Sequence, residues 1–211
     1  GAMTSLTIGN KVQTIGESAF GSCESLTSVI IPNSVTSIGN SAFNTCDKIS
    51  SLTIGSSVQT IGESAFKNCS MLTDVTIPAS VENIGAWFFR NCENLATITC
   101  EATVPPTLGN NAFFDCGKLE HIYVPAASVA TYKAADNWAT KEAIISAIPT
   151  NPSGSCGANV TWEFDPSNGT LTITGTGPMD EYTSYYIPWK DYKDDITSVI
   201  ITDGVTSVTK N

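Results

Sequence analysis

A glutamate, a serine and a cysteine lie close together in the segment VQTIGESAFGSC, residues 12–23. Serine and cysteine act as nucleophiles in many enzymes, but each needs a base at hydrogen-bond distance and a group that orients this base. The chain contains a single histidine, His121, which lies outside the segment. One isolated histidine supplies no catalytic constellation, so the sequence does not predict an enzyme.

The same segment returns further along the chain, because the letters VQTIGESAF occur at residues 12–20 and again at residues 58–66. Valine recurs at a constant step of 23 residues, and cysteine recurs at nearly the same step. The residues are Val12, Val35, Val58, Val81 and Val104, followed by Cys23, Cys46, Cys69, Cys92 and Cys116. A segment copied at a fixed period is a structural unit, so Glu17 and Ser18 are predicted to be surface residues of a turn.

The cysteine column could hold a metal, form disulfides or pack as buried thiols. Metal sites need ligands that converge in pairs such as C-x-x-C, and no such pair occurs. Stacked cysteines would lie about 5 Å apart, which does not exclude disulfides. However, seven cysteines leave an odd thiol. The sequence therefore predicts reduced, buried thiols without a metal or cofactor, with Cys156 outside the column.

The elements that position these residues follow from the apolar pattern. After each cysteine come three apolar positions, as in Leu26, Val29 and Ile31, and the last two alternate like a strand with one buried face. Before each cysteine, apolar residues at i, i+4 and i+8 predict a turn or short helix on the opposite wall. A period of about 20 to 29 residues with L-x-x-L-x-L spacing is typical of leucine-rich repeats. The predicted fold is a repeat solenoid, α/β or mostly β, with a stacked parallel sheet.

The repeat pattern C-x-x-L-x-x-V-x-I-P-x-x-V-x-x-I-G-x-x-A-F resembles the BspA-like leucine-rich repeats of bacterial surface proteins, over residues 6–125. The resemblance implies a secreted or surface-attached protein. It also implies an adhesin-like role, since some members of that family bind host extracellular proteins or other bacteria.

Four segments are predicted along the chain. They are a solenoid of five repeats at 1–125 with its first strand from residue 5, a helical C-terminal cap at 126–148, a linker at 149–155, and a small β unit at 156–211. The last segment contains a hairpin pattern and then leads into an incomplete further repeat that begins near Ile196.

The cap is predicted to close the open end of the last repeat, which has no neighbour of its own. Ser128 is expected to cap a helix over residues 129–138. The side chains large enough to cover the repeat are Val129, Tyr132 and Trp138. Residues 143–148 fit either a closing strand or a further helical turn.

The outward positions of the repeat strands are the best binding candidates, because solenoids commonly use this extended face for partners. The predicted partner-binding residues are Ile30, Thr53, Asp74, Thr76, Thr97, Thr99, His121 and Tyr123. The alternative interpretation is that threonine simply suits exposed strands.

Ten basic and twenty acidic residues give a formal net charge of −10. This field repels phosphate backbones and anionic lipids, so nucleic acid is not an expected partner. No apolar run approaches membrane-spanning length. The aromatic and acidic segment 179–192 fits either the core of a small β unit or a site for a sugar or Ca²⁺.

Together, the repeat and the resemblance predict a non-catalytic extracellular or cell-surface protein. The expected partner is a host or bacterial protein, bound through the sheet face of the solenoid. The alternatives are a carbohydrate-binding module centred on residues 179–192 and a structural spacer that displays another domain.

Overall fold

The computed structural model describes residues 3–149, 151–180 and 187–208 of the chain. The chain divides into two units, Gly1–Ile148 and Pro149–Asn211. The strands of the first unit are β1 Thr14–Ile15, β2 Ser28–Ile30, β3 Ser37–Ile38, β4 Ser51–Thr53, β5 Thr60–Ile61, β6 Asp74–Ile77, β7 Asn83–Ile84, β8 Thr97–Cys100, β9 Thr107–Leu108, β10 His121–Val124 and β11 Ile145–Ala147.

The alternation of apolar and polar residues after each cysteine produces the longer strands. β6, β8 and β10 pair in parallel, β11 extends this sheet beyond β10, and β2 pairs in parallel with β4. Paired residues are one repeat apart, so that Val75 lies beside Ile98 and Ile98 lies beside Ile122. All three side chains are buried. The predicted solenoid with stacked parallel strands is therefore confirmed.

The opposite wall of the repeats is a second parallel sheet, in which β1, β3, β5, β7 and β9 pair in that order. The turn after each of these strands is not helical, because Ser18 and Ser22 have left-handed φ angles of 53° and 59°. The turn's N–H groups donate to the next repeat, as from Ser18 N to the Asn40 carbonyl oxygen at 2.9 Å. A helix would use those groups for its own bonds, so the helical alternative predicted for this wall is wrong.

The core of the first unit contains a phenylalanine column and a cysteine column. The rings of Phe20, Phe43 and Phe66 stack with centroid separations of 5.2 and 5.1 Å. Thiols of the cysteine column donate to phenylalanine carbonyl oxygens of the preceding repeat, as from Cys92 Sγ to Phe66 O at 3.2 Å. All seven cysteines are free thiols. The column therefore contributes packing and weak hydrogen bonds to the core.

The cap consists of a short helix, α1 Val129–Ala134, between the 3₁₀ segments Ala126–Ser128 and Ala139–Ile144. Tyr132 and Trp138 are fully buried against the last repeat, and both donate hydrogen bonds to its backbone carbonyls. The helix ends at Ala134, before the predicted residue 138. Ser128 does not cap it, because its Oγ donates to the Thr103 carbonyl oxygen at 2.7 Å. Residues 143–148 contain both of the predicted alternatives, since the 3₁₀ segment continues to Ile144 and the closing strand β11 then pairs with β10.

The second unit is a small β structure with strands β12 Ser153–Gly157, β13 Val160–Asp165, β14 Thr170–Gly175, β15 Gly177–Pro178, β16 Ser198–Ile201 and β17 Val205–Ser207, and a 3₁₀ turn at Lys190–Tyr192. β13 and β14 form an antiparallel hairpin, and β12 pairs antiparallel with the other edge of β13. β16 pairs in parallel with β14, and β17 pairs in parallel with β15. β12 begins inside the predicted linker, and Cys156 on this strand is buried in the core of the unit.

Candidate functional site

Six of the eight predicted binding residues come together on the outward face of the β6–β8–β10 sheet. The pairing register places Asp74, Thr97 and His121 in one row across the three strands. It places Thr76, Thr99 and Tyr123 in a second row. These two rows are called the sheet-face patch below. Their positions follow from the alternation of the strands, whose other side chains point into the core.

The remaining two predicted residues, Ile30 and Thr53, pair with each other on β2 and β4. This two-stranded ladder is separate from the β6–β8–β10 sheet, although β4 contacts β6. Ile30 is 67% exposed, which is unusual for a large apolar side chain on a strand. The structure therefore keeps both residues accessible but does not pair them with the sheet-face patch.

The sheet-face patch carries a stacked ring pair at one end and a carboxylate at the other. The rings of His121 and Tyr123 stack at a centroid distance of 5.3 Å with an interplanar angle of 7°. At the other end, the Asp74 carboxylate accepts a hydrogen bond from Thr73 Oγ1 at 3.0 Å. Among the described residues, no hydroxyl or thiol donates to the His121 ring, so no nucleophile is activated there.

Burial disfavours the reactive thiolate form at four positions of the cysteine column and at Cys100 on β8. Burial raises the pKa of the Cys46 and Cys116 thiols to about 11. Burial also raises the pKa of Cys69, Cys92 and Cys100 well above the ordinary value of 9.0. The thiolate is the form that attacks substrates and binds metals. Within the described ranges, no three His, Cys, Asp or Glu side chains form a group that could hold a metal ion.

The sequence did not predict one cluster in the first unit. It consists of Trp87, Arg90 and Phe114. The guanidinium carbon of Arg90 lies 5.9 Å from the Trp87 ring centroid and 5.2 Å from the Phe114 ring centroid. Trp87 has a left-handed φ of 55°, a conformation that costs an L-residue about 1–2 kcal/mol. The signal in the sequence is a departure from the repeat, since GESAFKNC of the third repeat becomes GAWFFRNC in the fourth.

The aromatic segment 179–192 is described only in part, because residues 181–186, with Tyr182, Tyr185 and Tyr186, lie outside the described residues. Met179 is buried in the core of the second unit. Trp189 meets Trp162 edge-on at 6.1 Å, and Tyr192 stacks on Phe164 at 5.4 Å. Both rings are half-buried, so the described aromatics of this segment pack onto the core and form no open platform for a sugar.

The two parallel stacks, with one strand of each stack per repeat, define the first unit as a leucine-rich-repeat solenoid. The sequence pattern of the BspA type leucine rich repeat region matches residues 2–120 and 73–135, in six copies. The chain belongs to this family. The family and the fold support a role in protein interaction.

Solved structures with the same fold include two leucine-rich-repeat proteins. A leucine rich cell surface protein from Faecalibacterium prausnitzii is 30% identical, with a TM-score of 0.51, over 67% of this chain and 34% of that chain. A leucine rich repeat protein from T. pallidum is 30% identical, with a TM-score of 0.52, over 55% of this chain and 53% of that chain. The matched part thus spans about a third of the F. prausnitzii protein and about half of the T. pallidum protein. No curated protein sequence matches the chain.

The helices in the described part of the chain are all too short or too polar to cross a bilayer.

Proposed function

We propose that the protein is a non-catalytic, adhesin-like protein of the bacterial surface or exterior, which binds a host or bacterial protein through the sheet-face patch. The observation that carries this proposal is the register of the two rows, which brings one carboxylate, three threonine side chains and a stacked aromatic pair onto one face. Ile30 and Thr53 offer further accessible side chains on the preceding strands.

A protein surface is the partner that suits this geometry. Neighbouring strands lie about 4.8 Å apart, so the six side chains form a nearly flat patch. Flat patches complement protein surfaces, whereas small ligands need concave pockets. Tyrosine is among the residues that carry most interface energy. Threonine is stiff at χ1 and has little side-chain freedom to lose on binding.

The extracellular location is supported by the family and by one of its structural relatives. The F. prausnitzii protein is a cell surface protein, and this chain shares its fold and 30% of its residues over the matched part. Proteins of this family are typically non-enzymatic, which supports the non-catalytic part of the proposal.

The test is surface plasmon resonance with the immobilised full chain and a panel of purified host extracellular-matrix proteins and bacterial surface proteins. For any panel protein that binds, the triple variant Asp74→Ala, His121→Ala, Tyr123→Ala is expected to weaken binding at least tenfold, or about 1.4 kcal/mol. The matched control replaces exposed residues of the opposite wall, Thr60→Ala, Asn83→Ala and Thr107→Ala, and is expected to bind normally. Equal binding by the triple variant would show that the sheet-face patch is not the site.

A further inference from the structure

We propose a second interaction site on the turns of the fourth and fifth repeats, formed by Trp87, Arg90 and Phe114 and called the arginine clamp. It binds a carboxylate that is flanked by an apolar side chain, within an acidic peptide segment of a partner protein. This site uses none of the residues of the sheet-face patch, so it goes beyond the function proposed above.

The residue at position 87 is not one that the fold requires. The equivalent turn positions of the other repeats, Ser18, Ser41, Ser64 and Asn111, have left-handed φ angles between 53° and 56°. Small polar residues tolerate this conformation, whereas a bulky residue there is a true outlier. Trp87 nevertheless occupies it, with the same φ of 55°. Strain of this kind, held in place by its surroundings, is common at binding sites.

Arg90 is the only arginine in the chain. Its backbone N–H donates to the Trp87 carbonyl oxygen at 3.1 Å, which fixes the two residues in one turn. Its guanidinium group lies over both rings. Among the described residues no carboxylate lies within ion-pair distance of Arg90, and its Nε is buried without a hydrogen-bond acceptor. The clamp therefore presents a cation that has no ion pair, and whose Nε–H has no acceptor, among the described residues.

A carboxylate is the group that best fits these N–H donors. The planar fork of arginine matches the two oxygens of a carboxylate, and the two nearby rings reduce the competition from water. Lys67 occupies the position of Arg90 in the preceding repeat, which adds positive charge on the same line of turns. The net charge of −10 opposes an acidic partner at long range, so the selection of a carboxylate comes from short-range contact with the Arg90 guanidinium group.

The apolar part of the ligand has a place beside the clamp. A cavity of about 340 Å³ lies between the fifth repeat and the cap, and Phe114 is part of its lining. Leu108, Ala112 and Phe113 contribute apolar surface to it, and Lys141 contributes a further cation. Phe114 itself is 48% exposed. A segment that places its carboxylate on Arg90 can therefore bury a neighbouring apolar side chain in this cavity.

The test follows one signal of the full chain by nuclear magnetic resonance. Because Arg90 is the only arginine, its Nε–H group gives a single peak in a nitrogen–proton correlation spectrum. The probes are acetyl-Leu-Glu-Leu-amide, the same peptide with glutamine in place of glutamate, and methyl glucuronide. The acidic peptide is expected to shift the peak saturably, with a dissociation constant on the order of 1 mM. The glutamine peptide is expected to bind at least fivefold more weakly.

Two variants separate the clamp from general surface charge. Trp87→Ser gives the turn the residue of the three preceding repeats, so it is expected to fold and to bind the acidic peptide at least fivefold more weakly. Arg90→Lys keeps the charge but loses the fork, and is expected to show the same loss when followed at the Phe114 amide. Lys48→Gln, which removes an exposed cation elsewhere in the first unit, is expected to bind as the unmodified protein does.

Three results would overturn the proposal. They are equal binding of the acidic and glutamine peptides, unchanged binding by a folded Trp87→Ser or Arg90→Lys variant, and saturation by methyl glucuronide without saturation by the peptide. The last result would assign the clamp to acidic sugars. The triple variant of the sheet-face patch is expected to bind the peptide normally, so failure of one site is distinguishable from failure of the other.

Discussion

At the scale of single residues, the glycine after each opposite-wall strand from the second repeat onward is fixed by the approach of the preceding repeat. A Cβ placed on Gly39 would lie 2.7 Å from the backbone nitrogen of Glu17 and from the carbonyl carbon of Gly16. Gly62, Gly85 and Gly109 meet the backbone of the preceding repeat in the same way. None of them has a positive φ, so the requirement comes from stacking and not from the turn.

The variant Gly39→Ala is therefore expected to destabilise the first unit by about 1–3 kcal/mol, since the added methyl group meets rigid backbone. Gly16 provides a matched control, because a Cβ there would meet nothing within 4 Å. Gly16→Ala is expected to stay within about 0.5 kcal/mol of the unmodified protein. Urea unfolding followed by circular dichroism measures both changes. An equal loss in the two variants would mean that the close approach is not what selects glycine.

The two candidate sites differ in how far the sequence could predict them at this scale. The rows of the sheet-face patch follow from the period, because residues one repeat apart must lie side by side in stacked strands, as Thr97 and His121 do. The arginine clamp depends on the direction in which a left-handed turn projects Trp87 and Arg90. Periodicity carries no information on that direction, and only the break in the repeat pattern marks the place.

At the scale of elements, the cap replaces the neighbour that the last repeat lacks. Tyr132 and Trp138 are completely buried. The Tyr132 hydroxyl donates to the Ala102 carbonyl oxygen at 2.9 Å, and Trp138 Nε1 donates to the Pro106 carbonyl oxygen at 2.9 Å. The cap thus covers apolar surface and also satisfies two buried backbone acceptors.

Removing the largest cap side chain, in Trp138→Ala, is expected to cost about 3–5 kcal/mol. Because each repeat is stabilised by its neighbours, protection from hydrogen exchange should fall first in β10 and β11 and least in β3 and β5. Tyr132→Phe serves as the milder control, since it removes one hydrogen bond worth about 1 kcal/mol and keeps the packing. Hydrogen exchange read by mass spectrometry measures the loss of protection in each strand. A uniform loss of protection would contradict closure of the last repeat by the cap.

The sequence predicted the long strands better than the opposite wall for a physical reason. β6, β8 and β10 have four residues each, enough for alternation to be visible. The strands of the opposite wall have two residues, as in Thr14–Ile15, and cannot alternate. The apolar spacing from Ile15 to Cys23 also fits a helix, and the left-handed φ angles of Ser18 and Ser22 that rule it out carry no sequence signal of their own.

At the scale of the whole molecule, the two units differ in how much sequence information they offer. In the solenoid each repeat gives another copy of the same pattern, so core positions such as Phe43 and Phe66 are identified by agreement between copies. The second unit is present once. The start of β12 at Ser153 had no second copy for comparison, and the sequence therefore assigned residues 153–155 to the linker and began the β unit only at Cys156.

The cysteine column also gives the solenoid a collective response to alkaline pH. In the folded chain burial raises the pKa of Cys46 and Cys116 from 9.0 to about 11 and raises the pKa of Cys69, Cys92 and Cys100 as well. Between the unfolded and the folded values, the folded state holds more protons than the unfolded state. The stability that protonated thiols contribute is therefore complete below about pH 9 and is lost as pH rises toward 11 and beyond.

The free energy of unfolding, measured with urea under reducing conditions at pH 7, 8, 9 and 10, is expected to stay level up to about pH 8 and then to fall. Each buried thiol adds about 1.4 kcal/mol per pH unit to the slope once the unfolded thiols are fully ionised. Cys92→Ala provides the control, because it lowers stability at pH 7 through the cavity it leaves but removes one thiol from the alkaline slope. If the slope were the same in the variant and the unmodified protein, the alkaline loss would come from groups outside the column. A slope reduced by about one thiol's share would tie the alkaline loss of stability to the buried thiols of the first unit.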